Sequence, residues 1–258
     1  MLTLKEIAKQ YPDSLRPFKR NLLREYLQYK ILEIIFNSPL GNKLSFLGGT
    51  ALRILYDNTR FSEDLDFDNF GLTEAEFGKL AREAQKGMAK LGFATEIRNV
   101  FKGVFRCYIK IPEILLANEL AVMPDEKMMI QLDTAPHGFK YEPDKKILNK
   151  FDVFTQIFST PPDILLAQKI YTIFNRGRAK GRDFYDAIFL LSLAKPNYGY
   201  LKLKIGVDNW ADLKKKLLRE TEKLDLAGLA KDVEPFLFAP SDAKKIMLFR
   251  EYIEQVKF

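Results

Sequence analysis

Two aspartates, Asp64 and Asp66, stand two positions apart and follow a glycine pair at Gly48-Gly49. On a β-strand, residues i and i+2 point to the same face, so this spacing predicts two carboxylates side by side. Leu65 would then point to the opposite, buried face. Neighbouring carboxylates repel each other unless a cation lies between them, and oxygen ligands suit a divalent metal ion. The sequence therefore predicts a metal site on this strand.

The glycine pair predicts an anion site beside these acids. Gly48, Gly49 and Thr50 lie between a strand predicted at 44–48 and a helix predicted at 50–57. Glycines let backbone N–H groups approach an anion closely, and a helix N-terminus favours negative charge. We expect the two glycine amides and Thr50 to hold the β- and γ-phosphates of a nucleotide, with a hydroxyl added by Ser62. Metal-binding acids beside a phosphate-binding turn are the parts that phosphoryl-type transfer requires.

A third carboxylate is predicted at Asp133, in a strand expected over 128–134. Alternation places Asp133 on the more polar face of that strand. If this strand lies next to the acidic strand, predicted at 63–68, Asp133 joins Asp64 and Asp66. We therefore expect these three aspartates to be the metal ligands.

The acidic strand has two other interpretations. A calcium loop is excluded because its glycine and glutamate positions carry Asn69 and Ala75, and large apolar residues stand between the acids. A solvated acidic edge strand remains the alternative, because an Asp-x-Asp pair alone is a weak signal.

The segment GGTALR…RFSEDLDF resembles the signature of the nucleotidyltransferase superfamily, in the version found in AbiEii-like toxins of type IV toxin–antitoxin systems. The superfamily pattern is a Gly-Gly or Gly-Ser turn followed by Asp-x-Asp, and the ending Arg-x-Ser-x-Asp-Leu-Asp-Phe narrows it to this branch. A second block, from Lys169 to Asp186, is similar to the family's Lys…Arg…Arg-Asp-x-x-Asp motif. From spacing alone, that block indicates a helix cap with a solvated basic loop.

The resemblance implies a reaction and a set of residues for it. The reaction is metal-dependent transfer of NMP from an NTP to an acceptor hydroxyl, with Mg²⁺ or Mn²⁺ as the cofactor. Lys169 becomes a catalytic ligand of the triphosphate, and Asp183 orients the nucleotide or the acceptor. Arg176 and Arg182 add positive charge at the nucleotide. Arg60 is a candidate partner for a phosphate or a carboxylate. Asp186 lies one turn beyond Asp183, as a candidate structural partner for an arginine.

The resemblance also suggests partners. Similar proteins act as bacterial toxins that a cognate antitoxin inhibits, and some modify the acceptor end of tRNA, so tRNA is the leading acceptor. Three alternatives stay open: transfer to a small molecule such as an aminoglycoside, transfer to a protein hydroxyl, and a non-catalytic module that binds a nucleotide or an antitoxin.

Composition restricts the chemistry further. One cysteine and one histidine exclude an internal disulfide framework and a Cys/His zinc site. Cys107 is predicted to be a buried thiol, and a Ser-His-Asp triad would have to use His137, in a turn. The net charge is +7, while residues 38–75 carry three basic and six acidic groups. An acidic site in a basic chain suits a metal–nucleotide centre that also meets a polyanion. With no signal-peptide core and no apolar run of about 20 residues, we expect a cytoplasmic protein without a membrane span.

The expected fold class is α/β (α+β). Residues 1–159 are predicted to form a nucleotidyltransferase domain with N-terminal helices and a small mixed sheet, and residues 160–258 an α-helical domain. Helices are predicted at 14–36, 50–57, 73–91, 163–176, 182–194, 209–223, 226–234 and 241–256. Strands are predicted at 44–48, 63–68, 93–101, 104–111, 128–134 and 151–158.

Overall fold

The computed structural model describes residues 2–258. These residues divide into two compact units. The first takes the described residues up to Tyr56 together with Ser62–Thr160, and the second takes Asp57–Phe61 together with Pro161–Phe258.

The first unit is built on one mixed sheet of seven strands, in the order β3-β4-β5-β2-β1-β7-β6. The strands are β1 Leu44–Leu47, β2 Leu65–Asn69, β3 Glu96–Lys102, β4 Val104–Ile111, β5 Met128–Ala135, β6 Asp144–Lys150 and β7 Val153–Ser159. Two pairs are parallel, β2 with β5 and β1 with β7, and the other neighbours are antiparallel. A mixed α/β fold with such a sheet is what the sequence predicted.

The helices of the first unit are α1 Leu4–Lys9, α2 Lys19–Asn37, α3 Gly48–Tyr56, α4 Glu74–Lys90 and α5 Ile114–Ala117. Helix α2 has buried residues along most of its length, including Tyr26, Leu27 and Ile31. Helix α4 begins with a capping box between Thr73 and Glu76, as predicted. Together with the sheet, these helices bury the apolar faces that the strand alternation defines.

The second unit is helical. Its helices are α6 Pro162–Asn175, α7 Gly181–Leu191, α8 Tyr198–Ile205, α9 Trp210–Thr221, α10 Leu226–Val233, α11 Lys244–Met247 and α12 Phe249–Gln255. The short segment Asp57–Phe61 belongs to this unit, where Arg60 forms an antiparallel bridge with Leu237. The backbone N–H of Phe61 donates to the carbonyl of Phe236 at 2.7 Å.

Several predicted boundaries are wrong. Residues 13–15 form a separate 3₁₀ turn and α2 begins only at Lys19, because Pro17 has no backbone N–H with which to continue a helical hydrogen-bond pattern. The helix predicted at 241–256 is divided at Leu248. Strand β6 and helices α1, α5 and α8 were not predicted.

The physical reason for the missed strand is its position at the sheet edge. In β6, Leu148 is buried while Ile147 is 55% exposed, so the strand lacks a clear apolar face. Charged residues are common on edge strands because they discourage pairing with other chains. Helix α8 was missed because its run of aromatic and apolar residues has no clear helical period. Among the residues that the structure describes, no helix is long and apolar enough to cross a membrane.

Candidate active site

Strands β2 and β5 are neighbours, and their register pairs Asp66 directly with Asp133. Leu65 and Phe67 are 0% and 3% exposed, so the strand buries its apolar face and turns Asp66 away from the core. Asp64 lies one residue before β2, and its side chain is half-buried like those of Asp66 and Asp133. The sequence analysis required the two strands that carry these acids to be neighbours. Strands β2 and β5 meet this condition.

The glycine turn lies against Asp66. In β1, Leu47 is the antiparallel partner of Asp66, and Gly48 follows it at the start of α3. Gly48 has φ +81°, and a Cβ added there would lie 2.2 Å from Oδ2 of Asp66. Only glycine tolerates both this backbone conformation and this close approach. The first N–H groups of a helix have no partner within it, so the start of α3 offers donors next to a carboxylate.

A cavity of about 180 Å³ is lined by the two paired acids, Asp66 and Asp133, and by His137. A hydrogen bond to β2 holds the turn that carries His137. The backbone N–H of His137 donates to Oδ1 of Asp68 at 2.9 Å. Asp68 is 1% exposed. It therefore supports the rim of the cavity rather than facing into solvent beside Asp66.

Thr50 does not face outward as its predicted phosphate contact requires. Its side chain is 1% exposed, and its hydroxyl donates to the backbone carbonyl of Asp64. The expectation that the Thr50 hydroxyl holds phosphate is thus corrected: the hydroxyl fixes the start of α3 to the segment that enters β2. Gly49 is buried in the first turn of α3. The side-chain amide of Gln28 donates to the carbonyls of Ser62 and Glu63 at 3.0 Å each, which fixes the same segment from another side.

The second unit contains a buried cluster of charges around Asp186, which is 0% exposed. Arg60 Nε and Nη2 donate to its two carboxylate oxygens at 2.7 and 2.6 Å, and Asn58 donates to Oδ1 at 3.0 Å. Lys169 Nζ lies 2.8 Å from the same carboxylate. Burial alone would raise the pKa of Asp186, but the charges of Arg60 and Lys169 hold that pKa well below its usual range.

Of the two partners expected for Arg60, a nucleotide phosphate or a carboxylate, the structure shows the carboxylate. Arg60 is 2% exposed and its guanidinium is held by Asp186, so it has a structural carboxylate partner rather than a phosphate. The expectation that Asp186 pairs with an arginine is confirmed by the same contact.

The remaining residues of the second block lie around this cluster. Asp183, 3% exposed, has Lys169 Nζ at 3.4 Å and Arg176 Nη1 at 3.0 Å. It lies in the first turn of α7, where the helix dipole favours a carboxylate. Arg182 is half-buried in the same turn. The structure thus brings together Lys169, Arg176 and Asp183 within the second unit, and Asp66 and Asp133 within the first. Asp64 stands one residue before β2 and does not line the same cavity.

The chain is similar to known proteins over most of its length. The family profile described as the nucleotidyl transferase AbiEii toxin of a type IV toxin–antitoxin system matches residues 30–241. The chain belongs to the AbiEii family. Both sequence blocks, from Gly48 to Phe67 and from Lys169 to Asp186, lie inside the matched range. No curated protein sequence matches the chain.

Two solved structures are similar to this AbiEii-family chain. MenT4, a nucleotidyltransferase toxin from Mycobacterium tuberculosis, has a TM-score of 0.60 at 14% identity, covering 100% of this chain and 91% of that chain. JHP933 from Helicobacter pylori has a TM-score of 0.56 at 18% identity, covering 92% of each chain. At these identities the likeness shows a shared fold.

Arg106 is a site residue that sequence reasoning missed. It lies on β4 as the register partner of Asp133, and its Nε and Nη2 donate to the two carboxylate oxygens at 2.8 and 3.1 Å. Gln131 adds a third donor at 2.9 Å. The hydrogen bonds and charge of Asp133 raise the pKa of Arg106 above its ordinary value. Alternation places Arg106 on the polar face of β4, but the register between β4 and β5 cannot be read from the sequence.

The acids of this AbiEii-family chain fit a divalent ion that arrives with its substrate. Among residues 2–258, no group of three or more His, Cys, Asp or Glu side chains is arranged to hold a metal ion. Mg²⁺ commonly uses one or two carboxylates and completes its octahedron with water and substrate phosphates. The pair formed by Asp66 and Asp133, beside the backbone N–H groups at the start of α3, meets that requirement. Arg106 already donates hydrogen bonds to the carboxylate oxygens of Asp133.

Proposed function

We propose that this AbiEii-family chain transfers NMP from a metal-bound NTP to an acceptor hydroxyl, with tRNA as the acceptor. The observation that carries the proposal is the direct pairing of Asp66 with Asp133 beside the Gly48 turn. Two carboxylates held by rigid strands next to backbone donors suit a cation and a triphosphate together.

In the proposed reaction, the acceptor oxygen forms a bond to the α-phosphorus while the bond to pyrophosphate breaks, and the hydroxyl proton passes to solvent. When bound, Mg²⁺ or Mn²⁺ would neutralise the triphosphate and activate the attacking oxygen. Asp64, Asp66 and Asp133 would hold the metal. The amides of Gly48 and Gly49 would bind phosphate oxygens, and Ser62 would add a hydroxyl. The protein's contribution is positioning and charge stabilisation.

A nucleotide role for the second unit is a further part of the proposal. Lys169 is the residue proposed to bind the triphosphate, with Asp183 orienting the substrate and Arg176 and Arg182 adding positive charge. Because Lys169 Nζ lies 2.8 Å from Asp186 and 3.4 Å from Asp183, a phosphate would have to share or replace these partners. Unchanged KM for NTP in Lys169→Ala would contradict this role.

The test is label transfer. The protein is incubated with each α-labelled NTP, with Mg²⁺ or Mn²⁺, and separately with total tRNA, total protein and an aminoglycoside. We expect label in tRNA, and we expect EDTA to prevent it. Label in protein or in the small molecule would move the acceptor to one of the alternatives. Absence of label with every NTP and acceptor would favour a non-catalytic module.

The matched control for the acidic site is Asp125, an exposed aspartate of the same unit. Asp125→Asn should transfer label as the unmodified protein does, while Asp66→Asn should not. The family also makes a cognate antitoxin the expected protein partner, and its addition should suppress the transfer.

A further inference from the structure

A basic pocket lies at the N-terminal end of the first unit, apart from the acidic site. It has a volume of about 680 Å³ and is formed by α1, the segment that leads into α2, and the end of α5. Its charged lining consists of Lys5, Lys9, Arg16, Lys19 and Glu119. We call this the N-terminal basic pocket. Its size lies within the range of ordinary ligand sites.

The positive charge of this pocket faces solvent. Lys5, Lys9, Arg16 and Lys19 are all exposed. Among the residues that the structure describes, Lys5, Lys9 and Lys19 take part in no ion pair within 4.0 Å, whereas Arg16 pairs with Asp13 at 2.6 Å. Four cations therefore meet one lining carboxylate, and three of these cations are without an ion-pair partner.

The arrangement of Lys5 and Lys9 is unfavourable for the helix that carries them. They stand four residues apart on α1, hence on one face one turn apart, where like charges repel, and Glu6 offsets only the charge of Lys9. A bound polyanion would remove this repulsion. The N-terminal elements of the pocket also lie before residue 30, outside the range that the AbiEii family profile matches.

We propose that the N-terminal basic pocket binds the phosphate backbone of an RNA strand. The proposal extends the function proposed above, because RNA is the acceptor named there. Lysine and arginine side chains that are exposed and flexible bind phosphates without reading sequence. The lining has no aromatic side chain among the described residues, so it does not suit base stacking. Four of its five charged groups are cations, which suits the phosphates of a nucleic-acid backbone.

The test measures RNA binding and not catalysis. Fluorescently labelled total tRNA is titrated, without NTP or metal, against the protein and against Lys5→Gln/Lys9→Gln/Lys19→Gln over a range of salt concentrations. Each lost phosphate contact lowers the slope of log K against log[salt] by about 0.7 to 0.9. We therefore expect the slope to become less steep by about two to three and the affinity at low salt to fall by more than about tenfold.

The control carries the same charge change elsewhere in the first unit. Lys86, Lys90 and Lys102 are exposed and do not line the pocket, so Lys86→Gln/Lys90→Gln/Lys102→Gln should retain most of the slope. Equal losses in both triple variants would overturn the proposal in favour of a diffuse basic surface. Thermal unfolding of each variant establishes that the fold is intact.

Two further outcomes separate this inference from the proposed function. If tRNA gains label and the pocket variant still binds tRNA with the original slope, the inference fails while the function stands. If binding depends on the pocket but tRNA gains no label, the proposed transfer to tRNA fails while the inference stands. Poly-L-glutamate is titrated in the same way. If the pocket variant loses binding to poly-L-glutamate but keeps its binding to tRNA, the pocket binds an acidic protein segment and the proposal is overturned.

Discussion

Asp66 and Asp133 are direct register partners on two parallel strands, β2 and β5. Both side chains therefore leave the sheet on the same face, opposite the buried Leu65 and Phe67. On the far side of Asp133, Arg106 is its register partner on β4 and holds both carboxylate oxygens. A cationic group and two acids thus lie in one row across three strands. This row determines how the site would take up a metal ion.

The first prediction concerns the two acids. Asp66→Asn and Asp133→Asn should each lower Mn²⁺ affinity and NMP transfer by at least about 100-fold, since even outer-shell partners of a metal ligand are worth 10- to 100-fold. Mn²⁺ binding is measured by the loss of its free electron paramagnetic resonance signal, and transfer by label incorporation. Retained Mn²⁺ affinity in both variants would contradict the metal assignment, whatever happened to activity.

The second prediction concerns Arg106. Removing a positive charge beside a dication site should strengthen metal binding, and Arg106→Gln should bind Mn²⁺ about five- to tenfold more tightly than the unmodified protein. Arg82→Gln removes the same charge from the exposed surface of α4 and should leave the affinity unchanged. Weaker Mn²⁺ binding in Arg106→Gln would instead mean that the arginine holds Asp133 in its binding orientation.

The third prediction concerns Gly48. Gly48→Ala should lower NMP transfer by about 100-fold, because its Cβ would displace the Asp66 carboxylate, and displacements of about 1 Å have effects of this size. Gly71→Ala is the matched control: its φ of +93° imposes similar backbone strain, but an added Cβ meets nothing within 4 Å. If both variants lose activity equally, backbone strain and not the contact with Asp66 is responsible.

The sequence predicted the local features of this site well. Alternation in β2 and β5 assigned the faces of Asp66 and Asp133 correctly, because a strand's side-chain period is fixed by its own backbone. Helix α4, with its capping box at Thr73, was also predicted, whereas α1, which has the same motif at Thr3, was not. These features depend on residues that are close in sequence.

The features that were missed depend on contacts between distant residues. Arg106 reaches Asp133 only through the register of β4 against β5, which no local pattern specifies. Arg60 and Asp186 stand 126 positions apart, so the sequence could not show that the arginine is buried rather than available to a phosphate. Thr50 was misassigned for the same reason, since its partner is the backbone carbonyl of Asp64.

The fourth prediction concerns the stability of the second unit. Asp186→Asn should destabilise it by about 3 to 5 kcal/mol, because removing one member of a buried ion pair leaves the other charge uncompensated. The chain has one tryptophan, Trp210, which lies in this unit, so its fluorescence during urea unfolding reports the change. Asp208→Asn breaks an exposed pair with Lys202 and should leave the transition unchanged. Equal midpoints in the two variants would contradict a stabilising role for Asp186.

The fifth prediction concerns pH. The pKa of Asp186 is lowered in the folded protein by Arg60 and Lys169, against the opposing effect of burial. Its contribution to stability is therefore complete above the unfolded-state pKa of about 3.9 and declines as pH falls below that value towards the lower folded pKa. The difference in free energy of unfolding between the unmodified protein and Asp186→Asn should be constant from pH 7 to pH 5. It should narrow by about 1 kcal/mol at pH 3, because the unfolded carboxylate then takes up a proton. Urea titrations followed by Trp210 fluorescence measure this difference, and a gap that widened on acidification would mean that Asp186 is protonated in the folded state.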